Sequence, residues 1–454
     1  MNVVIGSGAG FAGDRYDAAI PVVETLSQYV GPRYLIYEVM AERTLAIAHR
    51  LKQTDSTRGY SPWMDHYLPQ VLRQCVESGI RIVANFGCAN PIAAAKRAHA
   101  IAHDAGIETL RVAVVLGDDL FEIMSPEDLR SEPCIEGTSI AERELIGANA
   151  YLGAQPIAEA LGLGVDLVLV GRSVDAALTL GPLIHEFGWS EDEFDLLAAG
   201  TLAGHMLECG AQVSGGYFAD PGLKDVSDLD QVGFPIAEIA ASGEFVVTKA
   251  AGTGGLVSRL TVAEQLLYEV HDPANYLTPD VTLDISRVEL QEIAADRVRV
   301  SGALGRKPPP SLKVTLSVDG GWLGEGEISY AGPNALARAS LAAEVIRKRL
   351  QNLGINAPSR VEVLGTGTVH ASDTGQNDRD NLSAAGEYRV RAASRCADRN
   401  RAQQIVDEVL ALYCCGPAGG GGVRQSVTAQ VSTASILLDR QPIEAAVQVV
   451  EVPA

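Results

Sequence analysis

The chain has 454 residues, 47% of them hydrophobic and 20% charged, enough to bury large cores in two domains or more. A net charge of −21 opposes attraction to phosphate backbones and to anionic bilayers, which argues against nucleic acid and membrane partners. Seven cysteines are an odd number without framework spacing or a C-x-x-C pair, the pattern of reduced thiols rather than of a structural zinc site.

The N-terminus opens on a strand and not on a basic-then-apolar leader. No run approaches the roughly 18 apolar residues of a membrane span, and a cytoplasmic protein is expected. The strand Val3-Val4-Ile5 runs straight into a glycine turn that includes Ser7, Gly8, Gly10, Gly13, Asp14 and Arg15. Backbone N–H groups at such a turn suit an anion. Gly8, Gly10 and Gly13 also fit the dinucleotide spacing G-x-G-x-x-G, and Glu38, after the apolar run 34–37, stands where a ribose-binding acid would.

The same grammar repeats: a short apolar run, a polar or glycine turn, then an alanine-rich helix. Residues 81–84 lead to Asn85 and Asn90, 111–116 to Gly117-Asp118-Asp119, and 167–170 to Gly171-Arg172-Ser173-Val174-Asp175. Helices are expected over 92–105 and 140–160. Continuous rather than alternating apolar runs mark strands buried on both faces. The expected fold is α/β: an open, mostly parallel, doubly wound sheet (Rossmann-like) with ligands at one shared strand edge. From about residue 278 strands follow one another, with helices at 335–353 and 399–413, which reads as an α+β domain with a mixed sheet and one-sided helices. The expected division is 1–277 and 278–454.

Several residues on this outline can carry chemistry. Asp118 follows a buried strand as a base would; Asp119 beside it is either a ligand contact or a helix cap. Arg172 has the guanidinium fork that grips a carboxylate, with Asp175 beside it, and Arg15 and Arg43 invite the same reading. His205, Glu208 and Cys209 share one helix face, an arrangement that fits a site or a packed core alike. Lys249 ends a strand just before Gly252-Thr253-Gly254-Gly255, where it can hold an anion or act as a base. The glycine run 419–422 beside Arg424 is an anion cradle or a plain connection.

The segments 8–15, 41–44, 117–119, 200–205 and 208–212 together resemble the acyclic terpene utilisation AtuA family. So do Gly215-Gly216-Tyr217-Phe218, the stretch 249–255, the stretch 268–273 and Gly416-Pro417-Ala418 with its glycines. The resemblance runs from about residue 4 to about residue 437. It implies a role in breaking down acyclic terpenes or related branched organic acids, as acids or as acyl-CoA. It also implies a small ferredoxin-fold AtuA-type subunit, supplied in trans or replaced by self-association. Apolar residues Leu437, Leu438, Val447, Val449 and Val450 are then expected to form an exposed patch that a partner covers.

The expected activity is a lyase or hydratase acting beside a carbonyl. Asp118, Lys249, His205 and Glu208 are the candidate catalytic residues, and Arg172 the carboxylate anchor. Ser7, Gly8, Gly10, Asp14, Arg15, Glu38, Arg43, Asn85, Asn90, Asp119, Asp175, Thr253 and Gly254 are candidates for holding the substrate. Two alternatives stand beside it: a non-catalytic subunit that presents an acyl-CoA or organic acid, and an NAD(P)-dependent oxidoreductase. No cofactor is assigned; a CoA thioester substrate and a divalent metal are both left open.

Overall fold

Apolar runs without alternation become the inner strands of one large sheet. The structure, a computed structural model, describes residues 2–137, 139–140, 142–355, 359–365 and 386–451. Its first elements are β1 (Asn2–Ala9), α1 (Ala19–Leu26), β2 (Arg33–Tyr37), α2 (Glu42–Thr54), α3 (Met64–Ser78), β3 (Arg81–Ala84) and α4 (Pro91–Asp104). There follow β4 (Val112–Leu116), α5 (Pro126–Ser131), β5 (Leu145–Ala150), α6 (Gln155–Gly162), β6 (Leu167–Val170), α7 (Ala177–Phe187) and α8 (Phe194–Glu208). Strands β1, β2, β3, β6 and β4 lie side by side and parallel.

Alternate residues of these strands enter different cores. Val3, Ile5, Ile36, Val83, Val168 and Val170 pack with residues of α6, α7 and α8. Val4, Leu35, Tyr37, Ile82, Leu167 and Leu169 pack with residues of α1, α3 and α4. A period of two sends neighbours to opposite faces, and each such side chain buried contributes roughly 2 kcal/mol.

The sheet is mixed rather than mostly parallel. The chain continues through β7 (Pro235–Ala240), β8 (Phe245–Lys249), α9 (Arg259–Leu267), β9 (Tyr276–Leu277), β10 (Thr282–Asp284), β11 (Glu289–Ala294), β12 (Arg297–Ser301), β13 (Leu304–Arg306) and β14 (Ser311–Ala331). Four of these extend the sheet beyond β1 in the order β7, β8, β12, β11, each pair antiparallel. Strands β9, β10 and β13 form a separate small sheet.

The helix expected over 140–160 is not there. Residues 145–150 are strand β5, paired antiparallel with Val314–Val318 of β14, and only α6 is helical. An alanine-rich run favours helix, but burial against β14 and the apolar residues of Leu312–Val318 overrides that preference.

After β14 come α10 (Ala335–Asn352), β15 (Ser359–Leu364), β16 (Glu387–Cys396), α11 (Arg399–Cys415), β17 (Gly421–Asp439) and β18 (Ala446–Val450). The chain forms two compact units: residues 1–318 with 433–454, and residues 319–432. Within the second, β15, β16, β14 and β17 are neighbours in that order. The stripe Ala335, Ala339, Ala342, Ile346 and Leu350 of α10, with Ile405, Val409 and Leu412 of α11, packs on Ile328, Tyr330, Val390 and Ala392.

In the first unit β18 pairs antiparallel with β4 and closes the large sheet. Val447 and Val449 pack against the first core and Val450 belongs to the second, while Leu438 is buried too. The patch expected there is therefore absorbed by the chain's own sheet, with only Leu437 left exposed. No described helix is long and apolar enough to cross a membrane.

Candidate active site

Polar residues gather where the parallel strands end. Glu38 follows β2, Asn85 follows β3, Asp118 follows β4, and Arg172 to Asp175 follow β6. All lie in the first unit, at the carboxyl edge where open α/β sheets bind ligands.

Glu38 is buried, and its Oε1 accepts from the Met40 N–H at 2.7 Å and the Asn85 side-chain amide at 2.9 Å. Asn85 in turn accepts from the Val39 N–H at 2.8 Å, which fixes the turn. Burial pushes the Glu38 carboxyl up to about 8, and nearby Asp175 adds to the rise. With Oε1 taken by two donors, the proton of neutral Glu38 belongs on Oε2.

Arg172 is buried on every side. Its Nη1 donates to the Met40 carbonyl, its Nη2 donates to Asp175 at 2.7 Å, and its guanidinium lies 4.0 Å over the Tyr151 ring. Asp175 has the opposite exposure, with 35% of its side chain open against 2% for Arg172. The protein packed around the Asp175 carboxyl still pushes it up to about 7; Arg172 resists this, and Glu208 and Glu42 add to it.

Asp118 supports this pair from below. Its Oδ2 accepts from the Arg172 N–H at 2.7 Å and from Asn149 at 2.8 Å. A Cβ on Gly171 would strike the Asp118 carboxylate, and only glycine permits the approach. Burial raises the Asp118 carboxyl to about 6. The chain of contacts continues from Asn149 to the buried ring of His49 at 2.6 Å. Burial holds the His49 pKa down.

At the open side, Tyr151 donates to Glu42 at 2.5 Å and Lys313 donates to the same oxygen at 3.0 Å. Burial works against the Glu42 charge, yet these two partners win and lower its carboxyl to about 2. His205 Nδ1 sits 2.8 Å from Glu208, with its ring 5.8 Å from that of Tyr276. Burial opposes charge on this imidazole, but Glu208 more than offsets it and the His205 pKa rises. His205 Nε2 is buried without a partner.

The expected site residues divide accordingly. Glu38, Asn85, Asp118, Arg172 and Asp175 form one network, and Glu208 of the His205 pair reaches Asp175 electrostatically. Asp119 caps the short turn after it, accepting from the Phe121 N–H at 3.2 Å, and lies 3.6 Å from Lys52. Asn90 caps α4 and donates to the carbonyls of Ser56 and Arg58. Arg15 donates to the carbonyls of Leu229 and Asp230, and Arg43 is exposed.

The glycine turn serves the fold. Ser7 is buried with its hydroxyl on the Ala9 carbonyl. A Cβ on Gly8 would enter the Tyr37 ring, and one on Gly10 would strike the backbone of Cys209 and Gly210. The Gly10 N–H is already taken by Asp14 at 2.8 Å, and burial raises that carboxyl. Residues 10–18 contain no helix or strand, and α1 begins only at Ala19.

Lys249 stands apart from this network. Its Nζ donates to the Thr253 carbonyl at 2.7 Å and lies 3.5 Å from Asp296. Gly254 packs against the backbone of Asp228. Among the described residues no group of three or more His, Cys, Asp or Glu side chains is arranged to hold a metal ion.

Glu42, His49, Asn149, Tyr151 and Lys313 are the network members that sequence reasoning missed. His49 carried a usable signal, since it follows Leu45 by four residues on the buried face of α2. Asn149 was hidden inside the run read as helix.

The family model described as acyclic terpene utilisation family protein AtuA matches residues 3–449. No curated protein and no solved structure matches the chain.

Proposed function

This chain belongs to the acyclic terpene utilisation AtuA family, and on that premise we propose that it is a catabolic enzyme of branched acyl compounds. Its reaction adds or removes water beside a carbonyl. The observation that carries the reading is the pair Glu38 and Asp175, two carboxyls past the ends of β2 and β6, the strands on either side of β3, whose proton affinities lie near neutrality. Acid–base catalysis works best with groups of that affinity.

In the dehydration direction, one member of the pair, as carboxylate, takes a proton from the carbon beside the carbonyl. The other, as carboxylic acid, gives its proton to the hydroxyl one carbon further on. That C–O bond breaks, a C=C bond forms, and water leaves. Hydration runs the same steps backwards. Arg172 keeps Asp175 in place and favours its charged form, while Asp118, Asn149 and His49 hold the strand end that carries Arg172. This reading takes the five parallel strands as a doubly wound, Rossmann-like core. A cytoplasmic location and a small second subunit belong to the same proposal.

The test is to incubate purified protein with a panel of branched hydroxyacyl and unsaturated acyl compounds. Mass spectrometry then follows the gain or loss of water. Turnover that disappears in Asp175→Asn supports the assignment, and turnover that survives it refutes the role of the pair.

A further inference from the structure

The charges of this network are distributed in a way that discriminates between forms of an acyl ligand. Among the described residues three cations belong to it, and a protein acid holds each one. Arg172 is committed to Asp175 and to the Met40 carbonyl, with its face on Tyr151. Lys313 is committed to Glu42 at 3.0 Å and lies 4.8 Å over the same ring. Lys52 donates to the Ala89 carbonyl at 2.8 Å and lies 3.6 Å from Asp119.

The remaining ionisable groups are acids or histidines. Among the described residues Glu38 from the end of β2, Asp118 from the end of β4 and Glu208 from α8 have no cationic side chain of their own beyond these and His205. His49 from α2 is spent on Asn149. Arg43 lies on the exposed face of α2 with Ile47, away from the face that buries Leu45 and His49. Arg15 is bound to backbone carbonyls elsewhere.

We infer that the acyl group enters this site as a neutral, esterified carbonyl and not as a free carboxylate, because among the described residues every cation of the network is already matched by a protein acid. The inference rests on the acid–base reading above and narrows its substrate class. A free carboxylate would have to displace Asp175 from Arg172 or Glu42 from Lys313, and would then face the displaced acid beside largely buried groups. Like charges so placed repel, which weakens binding of the acid. An ester or thioester carbonyl adds no charge and asks only for a hydrogen-bond donor. This reverses the anchoring role that the guanidinium of Arg172 invites when the sequence is read alone.

The site's own protons supply a second, independent readout. At about pH 6 Asp175 and Glu38 are mostly neutral and the repulsion they exert falls, whereas at about pH 8 Asp175 is mostly charged and Glu38 about half so, and the repulsion is larger. Discrimination against a free carboxylate therefore grows as pH rises. Affinity for a neutral ester depends far less on pH.

The experiment uses dimethylacrylic acid, a branched short-chain acid, and its uncharged N-acetylcysteamine thioester, each titrated into the intact protein by calorimetry or ligand-observed NMR. The expected result is a thioester that binds at least about tenfold more tightly than the acid near pH 8, with the gap narrowing near pH 6. In Glu42→Gln, which frees Lys313, the acid should gain at least about threefold relative to the thioester. Equal or tighter binding of the acid to the wild type overturns the inference and leaves the acid–base reading standing. Failure of both compounds to bind at either pH removes that reading and the inference together.

Discussion

Arg172 and Asp175 form one ion pair that spans two environments: Nη2 meets Oδ1 at 2.7 Å, with 2% of the arginine side chain exposed and 35% of the aspartate. The buried partner is fixed by the Met40 carbonyl and the Tyr151 ring, and the open partner is the one a ligand can reach. Such a pair positions a carboxylate without consuming it.

The raised carboxyls make stability fall with increasing pH. The unfolded chain releases the Glu38 proton near about pH 4.3, whereas the folded protein keeps it to about 8. Between these values the unfolded state binds fewer protons, and stability declines by up to about 1.4 kcal/mol per pH unit for each such proton. His49, whose pKa is lowered, acts in the opposite sense as pH falls below about 6.5, so the measurement belongs above that value. His205, whose pKa is raised, adds to the decline. Thermal melts should show a midpoint that drops between about pH 6.5 and 8. Glu38→Gln keeps both hydrogen bonds, flattens the slope and raises the midpoint at the alkaline end; an unchanged slope would remove Glu38 from this role.

Asn149→Ala should destabilise the protein by about 2–3 kcal/mol in urea denaturation. The substitution strips one donor from buried Asp118 and leaves the His49 ring without its partner. Asn149→Asp should cost more, because it places a second buried carboxylate against Asp118. A loss under about 0.5 kcal/mol would mean that water replaces the amide.

Two glycines allow a direct comparison. Gly10→Ala drives a methyl into the Cys209–Gly210 backbone and should cost about 1–3 kcal/mol or more. Gly421→Ala meets nothing within 4 Å and should stay within about 0.5 kcal/mol of the parent. Equal melting points for the two variants would show that the turn at Gly10 yields more easily than its packing implies.

How much of this was legible in advance follows from which interactions are local. Strand ends Glu38, Asn85, Asp118 and Arg172 were readable because an apolar run followed by a polar turn is a local pattern. Their convergence on one edge follows from parallel pairing. Strand β5 was not readable, since its strand state depends on pairing with β14, more than a hundred residues away. The same holds for Lys313, which meets Glu42 only through that pairing of distant segments. Arg172 was visible as a guanidinium, but nothing in the sequence reveals that its two terminal nitrogens already donate to Met40 and Asp175.

Lys249→Ala should lower stability by about 1–3 kcal/mol, because the Thr253 carbonyl loses its donor and Asp296 its partner. The pH dependence set by Glu38 and Asp175 should survive this change intact, since the lysine touches neither. A variant of normal stability that has lost turnover would instead give Lys249 a part in the chemistry.

The most direct measurement is deuterium exchange at the carbon beside the carbonyl. Wild-type protein in D2O is given a branched acyl thioester, and the α-hydrogen is followed by NMR. The account predicts exchange catalysed by the wild type and reduced at least about a hundredfold in at least one of Glu38→Gln and Asp175→Asn, the variant that removes the base, with both variants folded. Exchange that continues undiminished in both variants would contradict it.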